Sequence, residues 1–395
     1  MEILKVNKVN SEIQSQLLKG EIFSFEEMNN YVVLPGFCDV HVHFREPGFE
    51  YKEDIKSGVE SAINGGYTTV FTMPNLKPVP DSINNLKLQL DAIEKVKKIE
   101  VLPYGSITKN QMGEELSDMQ ELAPYVCAFS DDGRGVQSSD MMESAMLEAK
   151  RLNKIIVAHC EDNSLLNGGY IHDGEYAKLN GHKGISSASE YKQIERDIEL
   201  VKKTGVKYHV CHISTKESVE VIRKAKREGV DITCETGPHY IVLSDMMISD
   251  DGRFKMNPPI RSEEDRLAII EGIVDGTIDM IATDHAPHSL EEKSKGLKGS
   301  LNGIVGLETA FPVLYTSLVK TGIITLEKLV ELMAINPRKR FNLKVKEDYS
   351  VWDLECEYKI DSKNFKSKGK SSPFDGLKVY GKRIATIVDN KVLEE

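Results

Sequence analysis

The sequence contains no long hydrophobic run. None of its apolar stretches reaches the roughly 18–20 uncharged residues that a membrane-spanning helix requires, so we expect no association with a membrane. The first residues, MEILKVNKVNSEIQ, carry scattered charges and lack the apolar core of a secretory signal. These absences predict a cytoplasmic protein.

Cysteine pairs and positive charge are also scarce. The six cysteines form no CxxC pair, and a chain of this size needs no disulfide framework, so we expect reduced thiols. The net charge is −11, and the short lysine runs form no basic patch, which argues against nucleic-acid binding. An anionic substrate would therefore need a local cation.

What the sequence does contain is a repeated alternation of strand-like and helix-like segments along its 395 residues. The eight β-rich runs are FCDVHVHF, YTTVFTMPN, EVLPYGSIT, YVCAFSDDG, KIIVAHCED, KYHVCHIST, DITCETGPHY and DMIATDHAPH. The helical stretches between them include 81–98, 139–152, 216–228 and 262–275. This alternation predicts an α/β protein with a parallel (β/α)8 TIM-type barrel. The alternative is a doubly wound open sheet, whose Gly-rich phosphate turn is lacking here.

Polar residues follow the apolar runs at their C-terminal ends. Barrel enzymes build their sites from the C-terminal ends of the strands. The polar residues that end the apolar runs are His41, His43, Asn75, Asp131, Asp132, His159, His212, His239, Asp284 and His288. Of the ten histidines, only His172 and His182 fall outside the runs. The pattern favours the barrel and predicts a site at that end of it.

The two ends of the chain differ from the middle. Residues 1–35 and 345–395 read as short strands and turns rather than as barrel units. We predict that these segments together form a small β-sandwich domain, and that residues 36–344 form the barrel.

The first run carries two histidines at positions i and i+2. Such residues face the same way on a strand, so His41 and His43 should project together while Val40 and Val42 face the other side. The pair could bind a metal ion, or hydrogen bonds could satisfy both rings.

Further ligand types at other strand ends favour the metal. His159, His212 and Asp284 end the fifth, sixth and eighth runs, and imidazoles with carboxylates suit zinc or a similar ion. Asp284 is either a plain ligand or one that also shuttles a proton, because a carboxylate has two oxygens. Asp131 and Asp132 are adjacent, so only one can point inward, and an Asp-Gly turn explains at least one of them.

Several longer segments surround these residues. They are PGFCDVHVHFREPG, TMPN, FSDDGRGV, VAHCED, HVCHISTKESV, KMNPPIR, IATDHAPH and GIVGLETAFP. Together they resemble the amidohydrolase superfamily and, within it, the bacterial class I dihydroorotases. The resemblance runs from about residue 34 to residue 342. The combination of HFREPG, MNPPIR and GIVGLETA is highly specific, whereas HxH alone is not.

The resemblance implies two zinc ions bridged by an aspartate and a hydroxide. The implied metal ligands are His41, His43, Asp132, His159, His212 and Asp284. The family spacing selects Asp132 as the bridge, and Asp284 would be the catalytic acid–base. Related hydantoinases use a carboxylated lysine as the bridge, and the run YVCAF before SDDG contains no lysine.

The resemblance also implies a set of substrate contacts. The implied residues are His43, Arg45, Asn75, Asn257, His288, Asn302 and Gly303. Arg45, Asn75 and His288 would hold the α-carboxylate of dihydroorotate, for which a guanidinium offers two parallel donors. Asn257 and the backbone around Asn302 would read the amide edges of the ring.

The implied reaction is the reversible cyclisation of N-carbamoyl-L-aspartate to L-dihydroorotate and water, the third step of pyrimidine biosynthesis in this family. Two alternatives stay open. One is a hydantoinase or dihydropyrimidinase acting on a neutral ring, against which Arg45 and the missing lysine argue. The other is an inactive scaffold for aspartate transcarbamoylase, against which the full set of ligand types argues. Homodimer formation, and association of an active enzyme with that transcarbamoylase, also stay open.

Overall fold

The computed structural model describes residues 4–5 and 31–393. Its strands are β1 Leu4–Lys5, β2 Val32–Pro35, β3 Phe37–Val42, β4 Tyr67–Thr72, β5 Glu100–Pro103, β6 Ile155–Ala158, β7 Ile171–His172, β8 Gly184–Ile185, β9 Lys207–Val210, β10 Ile232–Thr236, β11 Met280–Ile281, β12 Tyr349–Lys359, β13 Lys378–Val388 and β14 Lys391–Leu393. Its α-helices are α1 Ile55–Asn64, α2 Ile83–Val96, α3 Met119–Leu122, α4 Ser139–Arg151, α5 Glu175–Asn180, α6 Ala188–Thr204, α7 Lys216–Arg227, α8 Pro238–Val242, α9 Glu263–Val274, α10 Leu290–Lys293, α11 Gly296–Gly299, α12 Ala310–Leu314, α13 Leu326–Val330 and α14 Asn336–Arg340. Helices α12 and α13 continue into π-helical turns at Tyr315–Val319 and Glu331–Ile335.

The parallel strands close into a barrel. Strands β3, β4 and β5 pair in that order, and β6, β9, β10 and β11 form a second parallel sheet. Phe129, in the fourth run, joins the two sheets through a single bridge on each side. Val42 pairs with His285, and the His43 amide donates to the His285 carbonyl at 2.8 Å, so the last strand meets the first. The prediction of a (β/α)8 barrel is confirmed.

Burial on both faces explains why the barrel strands read as apolar runs. Every residue of β3 and β4 is buried, as expected for parallel strands covered by helices. An apolar cluster that includes Val40, Phe71 and Val157 fills the barrel interior, while Val42 belongs to the larger cluster between strands and helices. The expectation that Val40 and Val42 share a face is wrong, because a register shift between Asp39 and Val42 breaks the alternation of β3.

The helices predicted from the sequence are present. Helices α2, α4, α7 and α9 lie within the four predicted stretches. At the start of α9 the Ser262 hydroxyl accepts from the Asp265 amide at 3.2 Å, and the Asp265 carboxylate accepts from the Ser262 amide at 3.2 Å. This reciprocal cap satisfies two amides that a helix start leaves free. Among the described residues, no helix is long and apolar enough to cross a membrane.

Strands from both ends of the chain form one antiparallel sheet. Its order is β1-β2-β12-β13-β14. Trp352 of β12 attaches this sheet to the barrel, because its ring lies 5.8 Å from that of Phe37 and 4.1 Å from that of Phe311, between centroids. The predicted joining of the two ends is therefore confirmed. The boundaries 1–35, 36–344 and 345–395 stay a prediction, and residues 6–30 lie outside the described residues.

The chain between β12 and β13 returns to the C-terminal end of the barrel. The buried Glu53 carboxylate accepts from the Ser367 hydroxyl and lies 3.4 Å from His285 Nε2. The Val305 amide donates to the Ser371 carbonyl at 3.0 Å. This connection, residues 366–371, is part of the rim around that end of the barrel.

Candidate active site

Six of the predicted residues converge at the C-terminal end of the barrel. They come from the ends of five of the eight strand runs, and all are buried, with exposed fractions from 0% to 7%. They are His41, His43, Asp132, His159, His212 and Asp284. The barrel geometry thus brings together side chains that are up to 243 positions apart in the sequence.

The first half of this group consists of two histidines and two carboxylates. His41 Nε2 lies 3.4 Å from Asp132 Oδ1 and 3.5 Å from Asp284 Oδ1. His43 Nε2 lies 3.1 Å from Asp284 Oδ1 and 3.5 Å from Asp132 Oδ2. Both carboxylates therefore face both imidazoles.

The second half shares one carboxylate with the first. His159 Nδ1 lies 2.9 Å from His212 Nε2. The two nitrogens are 3.6 Å and 3.5 Å from Asp132 Oδ1. Asp132 therefore stands between two pairs of histidines, in the position of a bridging ligand.

These residues fit a divalent metal centre. His41 Nε2 and Asp132 Oδ1 face one another in the buried interior, yet neither has a hydrogen-bond partner. Leaving such atoms unsatisfied is costly, and a cation that accepts their lone pairs removes that cost. Two sets of three ligand atoms, each within 4.8 Å, include Asp132 together with two histidines. Imidazole nitrogen and carboxylate oxygen are ligands that zinc and similar ions prefer.

The histidines of this group stabilise the ionised form of the two carboxylates. Burial raises the pKa of Asp132, but His41, His159 and His212 outweigh burial and hold that pKa well below its usual range. Burial likewise raises the pKa of Asp284, and His41 and His43 outweigh it, so the pKa is lowered. Both carboxylates are therefore ionised at neutral pH, the form that binds a cation.

The structure separates the two adjacent aspartates. Asp131 Oδ1 accepts from the amides of Ile107 and Thr108 at 2.8 Å and 3.1 Å, and Oδ2 accepts from the Thr108 hydroxyl. Asp131 thus holds a loop from the preceding strand, while Asp132 faces the histidines. The family spacing had selected Asp132, but the residue pattern alone left the choice open, because the hydrogen-bond partners of Asp131 are 23 and 24 residues away.

Two members of the group have unusual backbone conformations. His212 has a φ of 30° and Asp284 a φ of 48°. Non-glycine residues seldom adopt positive φ, and such strain costs of order 1–3 kcal/mol and collects at functional sites. The fold therefore keeps both side chains aimed at the group despite a local energetic cost.

A cavity of about 210 Å³ adjoins the group. Every predicted substrate-binding residue lines it: His43, Arg45, Asn75, Asn257, His288, Asn302 and Gly303. His41 is fully buried and is not part of the lining. The residues predicted to bind metal and those predicted to bind substrate thus share one space.

The Arg45 guanidinium supplies positive charge to this cavity. Its Nε donates to the Pro287 carbonyl at 3.4 Å. Burial lowers the pKa of Arg45 to about 10, so the side chain remains charged at neutral pH. A second cation, Lys52, lies nearby, with Nζ 3.2 Å from His288 Nδ1. Nothing in the sequence around Lys52 indicated this position.

His288 is held neutral at the same wall of the cavity. Burial, followed by the charges of Arg45 and Lys52, lowers the pKa of His288 to about 3. Its Nε2 lies 2.7 Å from the Asn302 carbonyl and donates to it. Gly303 has a φ of 135°, and a Cβ there would lie 2.5 Å from the Ala286 carbonyl oxygen. Only glycine therefore allows this tight approach of the two loops.

Asn75 and Asn257 occupy other parts of the wall. Asn75 Nδ2 donates to the Asp132 carbonyl at 2.6 Å, which ties the wall to the carboxylate-bearing loop. Gly133 makes room for this contact, because a Cβ there would lie 2.7 Å from Asn75 Nδ2. Asn257 Nδ2 donates to Glu161 Oε1 at 2.9 Å.

Sequence reasoning missed several residues that touch the predicted ones. Glu161 Oε2 lies 3.7 Å from His159 Nε2, and Glu235 Oε1 lies 2.7 Å from His41 Nδ1. Glu235 could have been found from the sequence, because it is an acidic residue inside the strand run DITCET and parallel barrel strands are otherwise apolar. His239, one of the polar residues that end the apolar runs, is also buried, and burial lowers its pKa to about 4.

Comparisons with known proteins agree with this geometry. A sequence profile of the family described as dihydro-orotase-like matches residues 30–218. The dihydroorotase of Fusobacterium nucleatum is 52% identical over 374 residues, which cover 93% of this chain and 88% of that protein. The chain belongs to the dihydroorotase family. A dihydroorotase of Staphylococcus aureus is 47% identical, with 99% of this chain and 94% of that protein covered.

Solved structures place the family within a larger fold group. The L-hydantoinase (dihydropyrimidinase) from Arthrobacter aurescens superposes with a TM-score of 0.82 at 28% identity, covering 92% of this chain and 85% of that one. The dihydropyrimidinase from Brevibacillus agri superposes with a TM-score of 0.78 at 19% identity, covering 92% and 85%. The second likeness concerns the fold alone. Both agree with the amidohydrolase barrel expected for a dihydroorotase.

The adjacent aspartates give a matched pair of variants. Asp132→Ala should bind divalent metal far more weakly, because two histidine pairs lose their shared carboxylate. Asp131→Ala should keep metal binding but lower the free energy of unfolding by about 1–3 kcal/mol, since buried amides lose their acceptor. Metal titration and denaturant unfolding of the metal-free proteins measure the two effects. Loss of metal binding in the Asp131 variant alone would reverse the assignment.

Proposed function

We propose that this protein catalyses the reversible cyclisation of N-carbamoyl-L-aspartate to L-dihydroorotate and water. The observation that carries the proposal is the shared cavity, in which a histidine–aspartate group lies beside the Arg45 guanidinium. The identities of 47–52% to dihydroorotases over most of the chain support the same reaction.

We propose that the site holds two zinc ions. The ligands would be the six residues that converge at the barrel end, with Asp132 shared between the two ions. When bound, the ions would polarise the attacked carbonyl and make the attacking water more acidic. The full set of ligand types argues against an inactive scaffold.

The chain's own residues carry the proton transfers. In the hydrolytic direction a water oxygen attacks the ring amide carbonyl, the C–N bond breaks, and the ring nitrogen takes up a proton. Asp284 would accept the proton from the attacking water and pass it to that nitrogen. In the synthetic direction Asp284 would remove a proton from the carbamoyl nitrogen, which then attacks the side-chain carboxyl carbon. One carboxyl C–O bond breaks, and that oxygen leaves as water with the proton from Asp284 and one proton from solution.

Asp284→Asn tests the proton transfer. The amide cannot accept the proton, and general acid–base catalysis contributes about 10²–10⁴-fold, so we expect kcat to fall by that order. KM for dihydroorotate should change less than kcat, because Arg45, Asn75 and His288 remain in the cavity wall. Steady-state kinetics in both directions, with the metal content measured, checks this. Near-normal turnover would refute the role of Asp284.

Arg45 distinguishes a carboxylate-bearing ring from a neutral one. A guanidinium pairs with a carboxylate through two parallel donors, and Asn75 and His288 line the same cavity. The net charge of −11 makes this local cation necessary for an anionic substrate. A hydantoinase has no use for such a charge, and the absence of a lysine in YVCAF also argues against that alternative.

The substrate assay tests this preference. Metal-replete protein should turn over L-dihydroorotate and leave dihydrouracil and hydantoin unchanged. The loss of ring-amide absorbance measures turnover of each compound. Arg45→Gln should raise KM for dihydroorotate about 10–100-fold, since a hydrogen bond to a charged group contributes about 1.5–3 kcal/mol. The control Arg223→Gln, which removes an ion pair with Asp275 on the outer helices, should have no such effect. Turnover of the neutral rings alone would assign the protein to the hydantoinases.

The position of the equilibrium should depend on pH. Cyclisation converts a carboxylate to an amide and consumes one proton, so lower pH favours the ring and higher pH favours hydrolysis. The ratio of ring to open form at equilibrium should change about tenfold for each pH unit. Product ratios at pH 6, 7 and 8, approached from both sides, measure this. A ratio that does not depend on pH would contradict the reaction.

The remaining proposals concern the setting of the enzyme. All six cysteines are free, which supports a reducing, cytoplasmic environment. The small terminal domain and the barrel would have the boundaries 1–35, 36–344 and 345–395. A homodimer and an association with aspartate transcarbamoylase stay predictions.

A further inference from the structure

Three polar side chains interrupt the apolar interior of the barrel. Most barrel strands direct apolar residues inward, such as Val40, Phe71 and Val157. In β9 and β10 the outward-facing residues, including Tyr208 and Cys234, pack in the cluster under the helices. The alternating inward positions hold the polar interior group: His209, Thr233 and Glu235. His209 and Glu235 are fully buried.

The members of this group form a hydrogen-bonded chain that ends on a proposed metal ligand. Glu235 Oε1 lies 2.7 Å from His41 Nδ1, and Glu235 Oε2 lies 3.0 Å from His209 Nε2. His209 Nδ1 in turn lies 2.8 Å from Thr233 Oγ1. Both oxygens of the carboxylate are therefore engaged, each by a different imidazole.

This chain determines where the His41 ring carries its proton. An ionised carboxylate only accepts hydrogen bonds, so His41 must donate from Nδ1. In the neutral ring, the form that binds a metal, Nε2 then keeps a lone pair, and Nε2 is the atom that faces Asp132 and Asp284 at 3.4 Å and 3.5 Å. Because a second histidine holds the other oxygen, Glu235 cannot turn away from His41.

We propose that Glu235 is the positioning residue of the metal centre, and that His209 and Thr233 hold Glu235 in place. The inference rests on the proposed metal centre and adds to it the group that fixes the orientation of His41. Outer carboxylates that orient metal-binding histidines typically change metal affinity or activity 10–100-fold when they are replaced.

The burial of the carboxylate supports this role. A buried charge is expensive unless it is paired and hydrogen-bonded, and an apolar residue would fill the barrel interior at less cost. Glu235 adds no contact to the substrate cavity, since it is absent from the lining. Within the described chain, Glu235 contacts the rings of His41 and His209 and accepts from the His212 amide at 3.4 Å. Its effect is therefore exerted through proposed metal ligands and not on the substrate.

The test measures zinc affinity of the full chain by competition with a chromophoric chelator. Glu235→Gln should weaken zinc binding about 10–100-fold, because its amide oxygen can accept from one histidine while its NH₂ group faces the other. Thr233→Val, which has nearly the same shape, should weaken binding in the same direction by a smaller factor. The imidazole ¹⁵N shifts of metal-free protein, recorded above the pH at which His41 loses its second proton, should show a mixed His41 tautomer in the Glu235 variant.

Two control variants remove buried polar contacts elsewhere. Asp197 is fully buried and accepts from the Tyr208 hydroxyl at 2.5 Å on the outer side of β9. Thr72 is fully buried and accepts from Gln89 Nε2 at 3.1 Å. Asp197→Asn and Thr72→Val should lower the melting temperature while leaving zinc affinity unchanged.

The outcomes separate the inference from the proposed function. Unchanged zinc affinity in Glu235→Gln would overturn the inference, as would an equal loss in the Asp197 control, which would indicate general destabilisation. Failure of the unaltered chain to bind zinc would instead contradict the proposed metal centre. Because the assay uses no substrate, a wrong substrate assignment would not affect it.

Discussion

The closure of the barrel between its first and last strands is the constraint on which the site depends. The pairing of Val42 with His285 brings His41 and His43 next to Asp284, although His43 and Asp284 are 241 positions apart in the sequence. Without this contact the two carboxylates would not face the same imidazoles. Asp284, whose φ is positive, lies between β11 and this closing contact. The strain is tolerated because the surrounding hydrogen bonds fix the backbone on both sides.

Much of this arrangement could be predicted from the sequence. Eight apolar runs, each ending in polar residues, predicted the barrel and the end at which the site lies, because strand ends in a parallel barrel meet at one rim. The spacing of His41 and His43 predicted their convergence. The regular alternation assumed for Val40 and Val42 failed, since a register shift inside a strand leaves no mark in a single sequence.

The residues that could not be predicted act through distant partners. Asp131 and Asp132 are chemically identical, so the residue pattern did not separate them and only the family spacing pointed to Asp132. The structure shows the reason, because Asp131 is engaged by the loop at Ile107 and Thr108. The positions of Lys52 and Glu161 depend on the conformation of the loops that follow the barrel strands. Unlike helices and strands, such loops have no periodic residue pattern from which their conformation could be predicted. The chain is acidic overall, yet Arg45 and Lys52 lie beside one cavity. The net charge of a sequence therefore did not predict the local charge at the site.

The connection at residues 366–371 has a consequence for the order in which the protein is made. Its Ser367 reaches Glu53, and Ser371 reaches Val305, so the rim of the site contains segments from near both ends of the chain. On the ribosome all six proposed metal ligands, the last of which is Asp284, emerge before this connection does. Such long-range contacts form late, because bringing distant segments together costs entropy before any contact is gained. Nearly the whole polypeptide must therefore be synthesised before the rim of the site can be completed.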